Sequence, residues 1–126
     1  MTASLAEGLW SAEIIAAGEL ISVGMISFQR LRVFGDFFES GSILGGDTRY
    51  YISGTYSIEN DGVTLDFGLN HYADDKHEAL GPENAIPVSF SGTADSVVDR
   101  NVIEFQGRTV DTKEKLTLRL VRRARI

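Results

Sequence analysis

The sequence contains no cysteine, two prolines and one tryptophan, and it has no long run of apolar residues. Without cysteine the chain forms no disulfide, no thiolate-ligated zinc site and no thiol nucleophile, which fits a reducing compartment. No stretch approaches the ~20 apolar residues that a membrane-spanning helix requires. Residues 1–7 also lack the basic start of a secretory signal peptide. These absences predict a soluble, cytoplasmic protein with no membrane partner.

Positive charge is scarce as well, because 12 basic residues stand against 18 acidic ones and the net charge is -6. A general nucleic-acid binder needs basic surface to offset the phosphates, so this balance argues against a nucleic-acid partner. The C-terminal stretch is the exception, with arginines at positions 119, 122, 123 and 125. We interpret this basic tail as charge that offsets neighbouring carboxylates; contact with nucleic acid or an acidic partner is the alternative.

What the sequence does contain is typical of a small all-β domain. Its 126 residues are enough for one domain, residues 1–126, that buries roughly two thirds of its unfolded surface. Glycine outnumbers proline by 13 to 2, which suits many short strands joined by tight turns.

The central part of the chain predicts a β-hairpin around an Asn-Asp-Gly turn at residues 60–62. Both flanking segments alternate with a period of two, so alternate side chains point to opposite faces. The inward set is Tyr50, Ile52, Tyr56, Ile58, Val63, Leu65, Phe67 and Leu69.

Five further segments alternate in the same way, at residues 8–15, 25–38, 86–94, 102–107 and 115–122. With the segment that leads into residue 25, these give about eight strands at a spacing of 8–12 residues, a pattern typical of a sandwich or barrel. Short hairpin connections favour a single antiparallel up-and-down β-barrel.

The strand register between residues 16 and 38 is left open by the sequence. Ile26 and Phe28 fit one alternation, and Leu31 and Val33 fit the opposite one. An extra residue flips every later side chain to the other face, so we predict a bulge at residues 29–30. Turn signals at residues 35–36 and 40–42 predict chain reversals on both sides of residues 37–39.

The interior of a barrel of about eight strands is filled by side chains or holds one small ligand. The sequence does not distinguish these two cases. For Trp10 we favour a role as a core side chain or as a plug at the end of the barrel over a contact with a ligand. If the barrel is hollow, an apolar ligand would be bound by Trp10, Tyr50, Ile52, Tyr56, Phe67 and Phe90.

Two clusters of polar residues offer chemistry. His71, Asp74, Asp75, His77 and Glu78 are potential metal ligands within eight residues, but their spacing matches no known zinc or calcium loop. We interpret them as a solvated loop and predict no metal and no cofactor, with a metal-dependent enzyme as the alternative.

The second cluster is Asp47 and Arg49, which follow a glycine pair. Asp47 is predicted to cap the turn through its side chain, and Arg49 to lie on the surface. The chain has no Gly-x-Ser-x-Gly element of the kind that carries a serine nucleophile. We therefore predict no catalytic residue and no enzymatic activity.

Several short motifs, in their order and spacing, resemble the GrlR-like family, small bacterial proteins named for a negative regulator of type III secretion genes. The motifs are Gly8-Leu9-Trp10-Ser11, Gly45-Gly46-Asp47 before Tyr50-Tyr51, Gly54-x-Tyr56, Val88-Ser89-Phe90-Ser91-Gly92-Thr93, and the ending at residues 116–124. The resemblance implies a lipocalin-like, calycin-type barrel that forms homodimers. It also implies a protein partner, a transcriptional activator that is bound and restrained through an acidic surface loop.

The stretch that matches this acidic loop contains Glu59, Asn60 and Asp61, which are the candidate partner-binding residues. Further acids at positions 74, 75, 78 and 83 would join them in one acidic patch if all lay at the same end of the barrel. The leading hypothesis is therefore a non-enzymatic regulator of gene expression that binds a protein partner. A barrel that binds a small apolar ligand is the alternative.

Overall fold

A computed structural model describes residues 5–35, 38–73, 83–93 and 101–125. They form a closed antiparallel barrel in which each strand pairs with the next and the last pairs with the first. The predicted all-β, up-and-down barrel is thus confirmed, and within these ranges no helix is long and apolar enough to cross a membrane. The strands are β1 (Gly8–Ala16), β2 (Glu19–Phe34), β3 (Phe38–Gly46), β4 (Tyr50–Glu59), β5 (Gly62–His71), β6 (Ala85–Thr93), β7 (Val102–Thr109) and β8 (Lys115–Arg125).

The core lies inside the barrel because the strands alternate as the sequence predicts. In β4 and β5 every predicted inward side chain is buried, and Tyr51, Ser53 and Thr55 are exposed between them. The interior rings pack in pairs: Phe67 stacks on Phe90, with ring centroids 5.6 Å apart. Each fully buried large apolar side chain stabilises the fold by roughly 1.5–3 kcal/mol.

One end of the barrel, here called the first end, is closed by a single turn of 3-10 helix (Leu5–Glu7) that precedes β1. Leu5 is fully buried, and its carbonyl accepts a 2.9 Å hydrogen bond from the indole Nε1 of Trp10. The Arg122 guanidinium lies 4.7 Å from the centre of the same ring. Trp10 is therefore a plug at the end of the barrel, held by a hydrogen bond and a cation–π contact.

The irregular part of the chain is a bulge in the long strand β2. Arg30 pairs with Gly41 and Arg32 with Ser40, so Leu31 is the extra residue. The bulge lies one residue after the predicted position at residues 29–30. The predicted change in the alternation of β2 is present. Beyond the bulge, Val33 pairs with the buried residue Glu39.

The predicted turn at residues 40–42 is wrong, because these residues lie within β3. Gly41 allows neighbouring groups to approach the backbone of β3 closely; it does not reverse the chain. A Cβ atom there would lie 1.8 Å from the Gln29 carbonyl oxygen and 2.9 Å from the Tyr56 ring. The glycine therefore lets β2 and the Tyr56 ring approach β3.

The connections alternate between the two ends of the barrel, as they must in an antiparallel meander. The β4–β5 turn, with Glu59 and Asp61, lies at the first end, whereas Glu83 in the β5–β6 connection lies at the second end. Glu83 therefore does not lie in one patch with Glu59 and Asp61, and the condition for a single acidic patch is not met among the described residues. Positions 74, 75 and 78 lie outside the described residues.

Candidate functional site

The six residues predicted to bind an apolar ligand all point into the barrel, but they pack tightly there. None of Trp10, Tyr50, Ile52, Tyr56, Phe67 and Phe90 is more than 4% exposed. Ligand pockets for drug-sized molecules have volumes of about 300–1,000 Å³. A ligand among these six side chains would have to displace them from their contacts. The outer surface is therefore the more accessible place for a functional site.

A polar cluster that the sequence did not reveal lies inside the first end. The carboxylate of Glu39, only 5% exposed, accepts a 2.7 Å hydrogen bond from the Tyr56 hydroxyl. Its other oxygen lies 3.2 Å from Nε of Arg30. Burial, and then the hydrogen bond to Glu39, raise the pKa of Tyr56. Tyr56 thus holds a buried carboxylate, which is a structural role.

The predicted partner-binding residues lie together in the β4–β5 turn at the first end. Asn60 and Asp61 form the turn between the paired residues Glu59 and Gly62, and Asn60 takes a positive φ of 53°, which asparagine tolerates. The side chains of Glu59, Asn60 and Asp61 are exposed. The two carboxylates therefore project from the barrel and are free to meet a partner.

Exposed apolar side chains lie next to this acidic turn. Phe38 pairs with Glu59 on one side and with Phe34 on the other, and the two phenylalanine rings are 5.6 Å apart. Phe34 is 57% exposed, and Leu31 and Val33 on the same strand are 64% and 51% exposed. We call the surface formed by Leu31, Phe34, Glu59 and Asp61 the acidic end; Val33 is not part of it, because it pairs with Glu39 and lies on the opposite face of β2 from Phe34.

A second apolar surface covers the outside of β1–β4. Its members are Leu9, Val23, Met25, Leu44 and Tyr51, which are between 36% and 56% exposed. The strand register makes them neighbours: Met25 pairs with Gly46, Gly46 pairs with Tyr51, and Leu44 lies on the diagonal between them. None of the five is charged, and we call this surface the lateral apolar face.

The Asp47 cluster is structural. Its Oδ1 atom accepts 2.8 Å hydrogen bonds from the backbone N–H groups of Arg49 and Tyr50, as predicted for a turn cap. Its Oδ2 atom accepts a hydrogen bond of 2.5 Å from the Ser22 hydroxyl. The Tyr72 hydroxyl also donates to the Asp47 carbonyl oxygen. Both carboxylate oxygens are engaged, so this group is poorly placed to act as a base.

The proposed metal loop lies mostly beyond the residues that the structure describes. His71 ends β5, where its ring centroid lies 5.7 Å from that of Tyr50. The backbone N–H of His71 donates a hydrogen bond to the Asn84 carbonyl oxygen. The other four candidate ligands are outside the described ranges. Among the residues within those ranges, no group of three or more histidine, aspartate or glutamate side chains is arranged to hold a metal. The interpretation of the loop stays a prediction.

Comparison with known proteins supports the fold. No family model and no curated protein matches the chain, so the resemblance to the GrlR-like family stays a prediction. Among solved structures the chain is similar to a redesigned beta barrel, with 20% sequence identity and a TM-score of 0.56. The match covers 95% of this chain and 93% of the designed one, and at this identity it supports the barrel fold alone.

Proposed function

We propose that this protein is a non-enzymatic regulator of the GrlR type, which restrains a transcriptional activator by binding it on the outside of the barrel. The observation that carries the proposal is the acidic end, where the exposed ring of Phe34 and the exposed carboxylate of Glu59 flank Phe38 in one row across the strands. Contiguous apolar surface rimmed by polar groups is typical of protein-binding sites.

The packed interior favours the outer surface over the alternative function, the binding of a small apolar ligand. The side chains that would line a ligand cavity are in contact with each other or with the barrel wall. Opening a cavity there would cost the core contacts that hold the barrel together.

The chemistry of the acidic end specifies the kind of partner. Phe34 and Leu31 would be covered by apolar side chains of the partner, and Glu59 and Asp61 would face lysine or arginine. Surface carboxylates increase the rate of encounter with a basic partner, and apolar contacts then slow its dissociation. A basic segment that also carries apolar anchors, such as an amphipathic helix of a DNA-binding protein, fits this description.

We further propose that two copies associate through the lateral apolar face. Two chains that each carry a net charge of -6 repel one another, so they associate most easily where neither surface is charged. The lateral apolar face meets this condition, and a two-fold axis would place it against itself. In such a dimer the β4–β5 turn of each copy, at its first end, would remain accessible to the protein partner.

The partner is tested by affinity capture from a lysate of the source cells. The wild-type barrel is compared with a variant that carries Glu59→Ala and Asp61→Ala. We expect a basic protein that is retained by the wild type and lost, or released at lower salt, by the variant.

The matched control is Asp111→Ala with Glu114→Ala, which removes two exposed acids from the β7–β8 turn at the other end. This variant should retain the partner at wild-type level. Retention of the same proteins by the wild type and by both double variants would contradict the proposal.

A further inference from the structure

We propose that a groove on the outside of β6 and β7 is a binding site for the phosphate groups of a small, multiply charged ligand of nucleotide size. The groove is separate from the acidic end and from the lateral apolar face. It is open to solvent and has a volume of about 680 Å³.

The groove is lined by side chains that suit an oxyanion. Its cations are Arg108 on β7, Lys115 on β8 and Lys113 in the turn between them. Ser89 pairs with Arg108, and Arg108 in turn pairs with Lys115, so the three residues form a row across the strands. Ser91 and Gln106 pair in the next row and add neutral hydrogen-bond donors.

The three cations of the groove have no carboxylate partner in the part of the chain that the structure describes. Within the described residues, Arg108, Lys113 and Lys115 form no ion pair, whereas Arg30 and Arg119 each contact a glutamate within 3.3 Å. The neighbouring acids are Asp111 and Glu114 in the turn that carries Lys113, and Asp66 on β5, which pairs with Ser89. None of these acids lines the groove, so the N–H groups of its three cations remain available to an anionic ligand.

The turn that carries Lys113 is firmly held. Buried Thr109 accepts hydrogen bonds from the Lys113 N–H through its carbonyl, at 3.1 Å, and from the Glu114 N–H through its hydroxyl, at 2.9 Å. Lys113 adopts a positive φ of 61°, a conformation that glycine or asparagine takes more readily. Strained backbone of this kind is concentrated at functional sites.

These features together specify the class of ligand. The planar fork of Arg108 matches two oxygens of one phosphate, and the two lysines act as compact point charges on neighbouring oxygens. Three positive charges suit a diphosphate or triphosphate better than a single phosphate. The volume leaves room for an attached organic group such as a nucleoside.

The test is calorimetric titration of the full-length protein with sodium pyrophosphate and, separately, with ATP, both at physiological ionic strength. We expect saturable binding of both compounds. Equal affinities would show that the phosphates alone are recognised, and tighter binding of ATP would show that the nucleoside also contributes. The absence of saturable binding at millimolar concentrations of both compounds would overturn the proposal.

Substitutions of the groove cations test whether the ligand binds in the groove. A variant with Arg108→Gln and Lys115→Gln should weaken binding at least tenfold. The matched control is Arg32→Gln, which removes an exposed cation from β2 and should leave the affinity unchanged. Equal affinities for the wild type and the double variant, or an equal loss in the control, would contradict the proposal.

Lys113→Gly separates binding from stability. Glycine relieves the positive φ, so the melting temperature should stay the same or rise, while the affinity for pyrophosphate falls several-fold. A merely structural role for Lys113 predicts no loss of affinity, and that result would remove Lys113 from the site.

Discussion

At the scale of single residues, the buried carboxylate of Glu39 is the least expected feature. It lies inside a barrel whose core is mostly apolar, with one oxygen accepting a hydrogen bond from the Tyr56 hydroxyl and the other facing Arg30. A buried charge is tolerated only when it is paired and hydrogen-bonded. The alternation of β3 places Glu39 on the inner face with Gly41 and Ile43, but the turn wrongly predicted at residues 40–42 separated Glu39 from this pattern, so the sequence alone did not reveal it.

The first prediction concerns the hydroxyl of Tyr56. Tyr56→Phe should lower the free energy of unfolding at neutral pH by about 1–3 kcal/mol, because the Glu39 carboxylate loses a buried hydrogen-bond donor. Denaturant unfolding of both proteins measures the difference. A variant as stable as the wild type would contradict the assigned role.

The same tyrosine predicts a dependence on pH. Burial, and then the hydrogen bond to Glu39, raise the pKa of Tyr56 above its ordinary value of 10.0, so the folded state keeps this proton at a pH where the unfolded state has lost it. The tyrosine's contribution to stability is therefore complete below pH 10 and declines as the pH rises further. The gap in stability between wild type and Tyr56→Phe should narrow above pH 10, and a constant gap would argue against this linkage.

At the scale of elements, the barrel depends on a few close approaches between strands. Gly41 is the tightest of these, because Gln29 backbone and the Tyr56 ring fill the space beside it. Gly41→Ala should destabilise the fold by roughly 1–3 kcal/mol or more, because backbone must shift to admit the methyl group. Thermal unfolding measures the loss.

The control for Gly41 is Gly62→Ala. A Cβ atom at Gly62 would have only the Glu59 carbonyl oxygen near it, at 3.7 Å, which is an ordinary contact. This variant should be within about 0.5 kcal/mol of the wild type. Equal losses of stability in Gly41→Ala and Gly62→Ala would show that the close approach of the strands at Gly41 does not cause the destabilisation.

The elements also show how far the sequence determined the fold. Regular alternation was enough to predict the inward faces of β4 and β5, because one buried face fixes the register. The turn predicted at residues 40–42 failed because glycine marks both turns and close approaches, and composition does not separate the two. The exposure of Phe34 was not predicted either, since it depends on how far β2 extends beyond the first end.

At the scale of the whole molecule, a packed barrel leaves its outer surface for function. The lateral apolar face is proposed to join two copies, and one charge should be enough to prevent this. Leu44→Lys places an ammonium group in the centre of the face, where in a dimer it would be desolvated next to its own copy. Light scattering after size-exclusion chromatography should show a dimer for the wild type and a monomer for the variant.

Thr55→Lys is the matched control for the dimer, because Thr55 is exposed on β4 outside the lateral apolar face. It should leave the dimer intact. A wild-type protein that is monomeric at micromolar concentration, or a Leu44→Lys variant that stays dimeric, would show that this face does not join two copies.

The central claim is that the acidic end binds a protein partner. Substitution of an apolar side chain in the acidic end tests this claim most directly. Phe34→Ser and Val110→Ser each remove one exposed apolar side chain, at the first and the second end respectively. In affinity capture from the source cells, the account predicts that the basic partner is lost with Phe34→Ser and retained with Val110→Ser. Equal retention by both variants would contradict it.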